Sequence, residues 1–180
     1  LRVQPLLPHL RGAVVHHDAN DYNVLVDEHT TTGTPSSNVS DRNVSDRNVS
    51  DLDVSGLIDF GDMVFARQVN ELAVTLAYGL LDVDDVVAAG RDIISGYVSE
   101  FPLTAEELRV LYDLAATHLA MSVVNSLHRS REFPDNEYLL VSQASALRLL
   151  RRLMSLRPEF LYFAAREAAG LAPVPQHDRI

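Results

Sequence analysis

From Asp27 to Ser55 the chain carries almost nothing large and apolar, so any core must be drawn from the two flanks. Thr30-Thr31-Thr32-Gly33-Thr34-Pro35-Ser36-Ser37 is a polar tract. A pentad then repeats as Asn38-Val39-Ser40-Asp41-Arg42, Asn43-Val44-Ser45-Asp46-Arg47 and Asn48-Val49-Ser50-Asp51-Leu52, with Asp53-Val54-Ser55 as a decayed copy. A five-residue period matches neither a helix nor a strand and is far shorter than a solenoid repeat. Residues 27–55 therefore read as a low-complexity loop insert. Its Asn-x-Ser triplets have the form of glycosylation acceptors. Leu1 to Leu10 lack the basic start and cleavage site of a signal peptide, so the expected location is cytoplasmic, with the triplets unmodified.

The flank before the insert reads strand, polar loop, strand: Gly12-Ala13-Val14-Val15, then His16 to Asn23, then Val24-Leu25-Val26. The flank after it, from Phe65 to Gly170, reads as helical. Leu72, Leu76 and Leu80 recur at helical spacing within Asn70 to Leu81. Asp82, Asp84 and Asp85 offer caps for a helix from Val86 to Ser99. Thr104-Ala105-Glu106-Glu107 forms a capping box opening a helix that runs to Arg131. A further helix is expected from Glu137 to Leu156, and a last one from Pro158 to a glycine cap at Gly170.

Composition excludes several functions. The chain has 180 residues and a net charge of −10; its 15 basic residues are all arginine, and cysteine is absent. A phosphate-binding loop ending in Gly-Lys-Ser/Thr, a Schiff-base lysine, a thiolate zinc site and a cysteine nucleophile are thereby ruled out. The negative charge argues against nucleic-acid or anionic-membrane partners. The apolar runs are too short and too interrupted to span a bilayer. The chain lacks an initiator methionine and reads as part of a longer protein.

The polar loop holds the chemistry. His16, Asp18 and Asn23 make H-x-D-x-x-x-x-N, and an apolar run, Gly56-Leu57-Ile58, delivers Asp59-Phe60-Gly61-Asp62. With this composition the first pattern should arise by chance about 0.03 times. A phosphotransferase acting on a hydroxyl needs one carboxylate to take the proton, and a second carboxylate with an amide oxygen to hold magnesium. The alternative is a polar turn with a capping aspartate, and an aspartate ending an ordinary strand. A metal site of another kind at His16, His17 and Asp18 is a further alternative. His118, Ser122, Asn125 and Arg129 fall at i, i+4, i+7 and i+11, a polar stripe that is either a substrate-pocket wall or a solvated face.

The run from His16 to Val26 resembles the catalytic loop of the aminoglycoside phosphotransferase and choline kinase family. Ile58-Asp59-Phe60-Gly61-Asp62 resembles that family's magnesium motif, and Asn70-Glu71-Leu72-Ala73 the helix that follows. The wording is most similar to the hydroxylysine-kinase-like branch, which Phe101-Pro102-Leu103-Thr104 and the tail from Ala169 to Pro175 also resemble. The resemblance covers nearly the whole chain outside the insert. It implies Asp18 as catalytic base, Asn23 and Asp59 as magnesium ligands, His16 holding the loop against the Asp59 strand, and Glu71 bonded to the loop's amides. His17 stands where aminoglycoside kinases usually have glycine. With no lysine and no Gly-x-Gly pair, the chain lacks the family's nucleotide-clamping lobe, so residues 1–180 correspond to the C-terminal lobe only.

The expected fold is α+β, mainly α: the large lobe of a protein-kinase-like fold, with a small β-hairpin carrying the site and about five helices. The Val24–Val26 and Leu57–Phe60 segments should pair antiparallel and bring Asn23 to Asp59. The expected function is transfer of the γ-phosphate of ATP or GTP, with Mg²⁺, to a hydroxyl of a small amine-bearing substrate such as an amino alcohol. His118, Asn125 and Arg129 are candidates for its pocket, and fusion to further domains in a parent protein is expected. The other reading is a truncated, catalytically silent helical module that binds a ligand or a partner.

Overall fold

The structure, a computed structural model, describes residues 3–28, 52–132 and 143–174. Among the described residues, four strands and five α-helices follow in order, besides two 3-10 turns at Leu7–His9 and Phe60–Asp62: strands β1 (Gly12–Val15), β2 (Val24–Glu28), β3 (Leu52–Leu57) and β4 (Val64–Arg67), then helices α1 (Val69–Gly79), α2 (Val86–Glu100), α3 (Ala105–Glu132), α4 (Gln143–Ser155) and α5 (Pro158–Ala168). The fold is mainly helical with a small antiparallel β part, as expected. The β part is two two-stranded ladders, β1 with β4 and β2 with β3. The second is nested in sequence within the first.

Three boundaries differ from the sequence reading. Residues Phe65 to Arg67 belong to β4, not to the helical part, which starts at Val69. The short run Val64-Phe65-Ala66 suits either period, and pairing with β1 settles it by register, Val14 opposite Phe65 and Val15 opposite Val64. The ladder of β2 and β3 also takes in both ends of the expected insert, pairing Asp27 with Asp53 and Val26 with Val54. Asp59 lies beyond β3, which ends at Leu57. The pentads before Leu52 and the expected helical residues 137–142 lie outside the described residues.

Helices bury one continuous core. Leu72, Leu76 and Leu80, Leu108, Leu111 and Leu119 of α3, and Leu149, Leu153, Leu161 and Ala165 all belong to it. α1 packs along α3, α3 against α4 and α5, and α2 against α5. Asp85 caps α2 by accepting from the amides of Val87 and Ala88 at 3.1 and 3.0 Å. The capping box of α3 is formed as expected: the Thr104 amide donates to Glu107 Oε2 at 2.8 Å, and the Glu107 amide to Thr104 Oγ1 at 3.3 Å. Glu107 also accepts from Arg11 Nε at 2.8 Å and Nη2 at 2.6 Å, which ties the start of β1 to α3. α5 ends in a Schellman turn: Gly170 has φ +67°, and the Leu171 amide donates to Arg166 O at 2.9 Å.

Candidate active site

β1 brings the chain to a loop, residues 16–23, that returns as β2. His16 is buried, and its Nε2 donates to Ile58 O at 2.9 Å while its ring meets Phe60 edge-on at 5.1 Å. The Ile58 amide donates to Asn23 O at 2.9 Å. Ile58 is thus held from both ends of the loop, and Asp59 follows immediately. His17 takes a left-handed backbone, φ +67°, and its amide donates to Glu71 Oε2 at 3.1 Å. Glu71 sits in the first turn of α1, so the loop is anchored to the helical core as well as to β3.

Within the loop, Asn23 is buried, and its Nδ2 donates to Asp18 Oδ2 at 2.8 Å and to Asp18 O at 2.9 Å. The Asn20 amide donates to Asp18 O, and the Tyr22 amide to Asn20 Oδ1, which closes a tight turn between Asp18 and Asn23. Asp59 is exposed and also left-handed, φ +60°, with Oδ1 accepting from the Gly61 amide at 3.4 Å. A non-glycine residue at positive φ is a strained conformation that surrounding structure must hold, and of the three in the described chain His17 lies in this loop and Asp59 follows the Ile58 bonded to it.

Asn23 and Asp59 carry the kind of oxygen atoms that a hard cation would need. The amide nitrogen of Asn23 is committed to Asp18, so its oxygen and the Asp59 carboxylate oxygens would be the atoms to hold such a cation. Oxygen donors of this kind suit magnesium. Among the described residues no three His, Cys, Asp or Glu side chains converge on a metal-binding centre, so the alternative of a His16, His17 and Asp18 site gains nothing.

A cleft of about 840 Å³ opens beside Asp18. All four residues of the stripe, His118, Ser122, Asn125 and Arg129, line it from α3, so the stripe faces this cleft. His118 meets His17 and Tyr78 edge-on, at 6.3 and 5.4 Å between ring centroids. Its Nε2 is buried with no hydrogen-bond partner among the described residues. Burial, reinforced by His17 and partly opposed by Asp18, holds its ring below the ordinary imidazole range. Asp59 is not among the lining residues.

The cleft also draws on Asp62, which the sequence carries at the end of the Asp59-Phe60-Gly61-Asp62 motif, and on Tyr78 and Asp82, which the sequence reading did not place at the site. Asp82 was expected to cap a helix; it instead has φ +55° and accepts from Ser145 Oγ at 2.6 Å and Arg148 Nη2 at 2.7 Å, leaving Asp85 as the cap of α2. That tie between the end of α1 and the start of α4 depends on residues far apart in sequence, so no local pattern signals it.

Comparison with known proteins points to a kinase-like relative. No protein-family model matches the chain, and no solved structure matches it. Hydroxylysine kinase of Mus musculus is 30% identical over 156 residues, 86% of this chain and 38% of the mouse protein. Hydroxylysine kinases of Xenopus laevis and Danio rerio are each 30% identical, over 87% of this chain and 39% of their own length. The chain spans under two fifths of the length of these curated relatives. Over most of its own residues it is therefore similar to a part of hydroxylysine kinase.

Proposed function

We propose that this chain is the metal- and substrate-holding part of a small-molecule kinase that transfers a nucleotide γ-phosphate to a hydroxyl of a small amine-bearing compound. The observation that carries this reading is the hydrogen-bonded unit in which Asn23 holds the Asp18 carboxylate by its side chain and the residue before Asp59 by its carbonyl. Asp18, at the mouth of the cleft, orients the hydroxyl and takes its proton. Asn23 and Asp59 hold magnesium, which when bound neutralises charge on the nucleotide phosphates. His16 and Glu71 act through others: His16 holds the Asp59 turn, and Glu71 holds the loop backbone at His17. The acids that line the cleft, Asp18, Asp21 and Asp62 besides the Arg148-paired Asp82, favour a cationic substrate. The similarity to hydroxylysine kinase supports the same class of acceptor.

The test is turnover of the protein at its full natural length with a hydroxylated amine, ATP or GTP, and magnesium. Asp18→Asn is expected to lower kcat about 10²- to 10⁴-fold with the melting temperature preserved, since an amide cannot take the proton. Wild-type turnover in that variant would remove Asp18 as the base, and no turnover in the wild type itself would leave the ligand-binding module as the reading.

A further inference from the structure

The cleft beside Asp18 is electrically uneven along its length. The rings of His118 and His17 meet, and His17 precedes Asp18, so the His118 end of the α3 stripe is the reacting end. Arg129 lies eleven residues further along the same helix, about three turns and roughly 16 Å along its axis. Of the four acids that line the cleft, Asp18 and Asp21 lie on the loop, Asp62 closes the turn after Asp59, and Asp82 is paired with Arg148. Arg129 is the one arginine or lysine among the described lining residues. Arg148, which lies nearby, is committed to Asp82 at 2.7 Å, whereas no carboxylate among the described residues pairs with Arg129. The cleft is thus negative where the hydroxyl reacts and positive at the other end.

Resting on the kinase reading above, we infer that Arg129 is a specificity-determining residue: it receives a carboxylate at the end of the substrate remote from the reacting hydroxyl. The preferred acceptor then carries its amine near the hydroxyl, against the loop acids, and its carboxylate at the Arg129 end. Ser122 and Asn125, between the two ends of the stripe, offer hydrogen bonds to the chain that joins them. Arginine suits this task because its planar fork binds a carboxylate through two parallel hydrogen bonds. A simple amino alcohol fills the reacting end and leaves Arg129 without a partner.

The experiment compares 5-hydroxylysine with the diamine left by its decarboxylation, as substrates of the protein at its full natural length. The wild type should favour the amino acid in kcat/KM by about tenfold or more. Arg129→Gln should collapse that ratio towards one, by raising KM for the amino acid about 10- to 100-fold with kcat within about twofold. Arg129→Lys should recover part of the ratio, and Arg131→Gln, which changes a charge outside the cleft lining, should keep it whole. An unchanged ratio in Arg129→Gln, or an equal loss on both compounds, overturns the assignment. Phosphorylation of neither compound counts against the kinase reading alone. Calorimetric binding of the two compounds then decides Arg129: selective binding of the amino acid that Arg129→Gln abolishes upholds the assignment, and equal binding overturns it.

Discussion

The carboxylate of Glu107 closes the capping box of α3 and grips the Arg11 guanidinium, so its protonation loosens a helix start and a strand start together. Burial by itself would raise this carboxyl, but the Arg11 hydrogen bonds and the Thr104 amide outweigh it and hold the group below the ordinary carboxylate range. The contribution is therefore complete above the unfolded glutamate value of about 4.3 and is lost as the pH falls through the lower folded value. Glu107→Gln should destabilise the fold by about 1–3 kcal/mol at neutral pH and flatten the acid limb of a melting-temperature profile. Half of this arrangement was legible: Thr104 and Glu107 sit at capping-box spacing, but nothing local announces that Arg11, far off in sequence, completes it. The candidate site divides the same way. Asp18 and Asn23 are near in sequence and meet in one loop, whereas Asp62, Tyr78 and Asp82 reach the cleft only through tertiary packing.

Helices were the most legible elements, because apolar spacing and caps act within a few residues. β4 was not, since its pairing with β1 depends on residues about fifty positions away and its own short apolar run fits either period. Packing between α2 and α3 gives a test at this scale. Gly90 lies in the middle of α2, and a Cβ there would stand 2.7 Å from the hydroxyl oxygen of Tyr112 on α3 but 3.8 Å from the ring carbon that bears it. That hydroxyl is buried without a hydrogen-bond partner among the described residues. Gly90→Ala alone should cost about 1–3 kcal/mol through the clash, despite the better helix propensity of alanine. In a Tyr112→Phe background the clashing atom is gone, so Gly90→Ala should stabilise by roughly 0.5–1 kcal/mol. Denaturant melts of the four proteins in this cycle give the coupling directly, and additive effects would rule the contact out.

At the level of the whole molecule, the core draws on both flanks of the insert, and the β2–β3 ladder is already paired from Val24 with Leu57 to Glu28 with Leu52. Replacing residues 29–51 by a short hairpin turn should keep the melting temperature within several degrees, because loop-closure entropy changes slowly with length. A larger fall would mean that the repeat contributes packing. The two small sheets have another property: Val14, Leu25, Val54, Ile58, Phe60, Met63 and Phe65 all remain exposed, with Phe65 at 74% and Val54 at 73%. These residues belong to the strands and turn around the candidate site, while the chain as a whole carries a charge of −10. Charge repulsion and apolar attraction between molecules have different ranges. At 0.01 M salt the Debye length is about 30 Å and repulsion keeps chains apart, whereas at 1 M it shrinks to about 3 Å. The 180-residue chain by itself should then sediment as a monomer in dilute buffer and associate as salt is added, a colloidal response opposite to that of assemblies held by ion pairs.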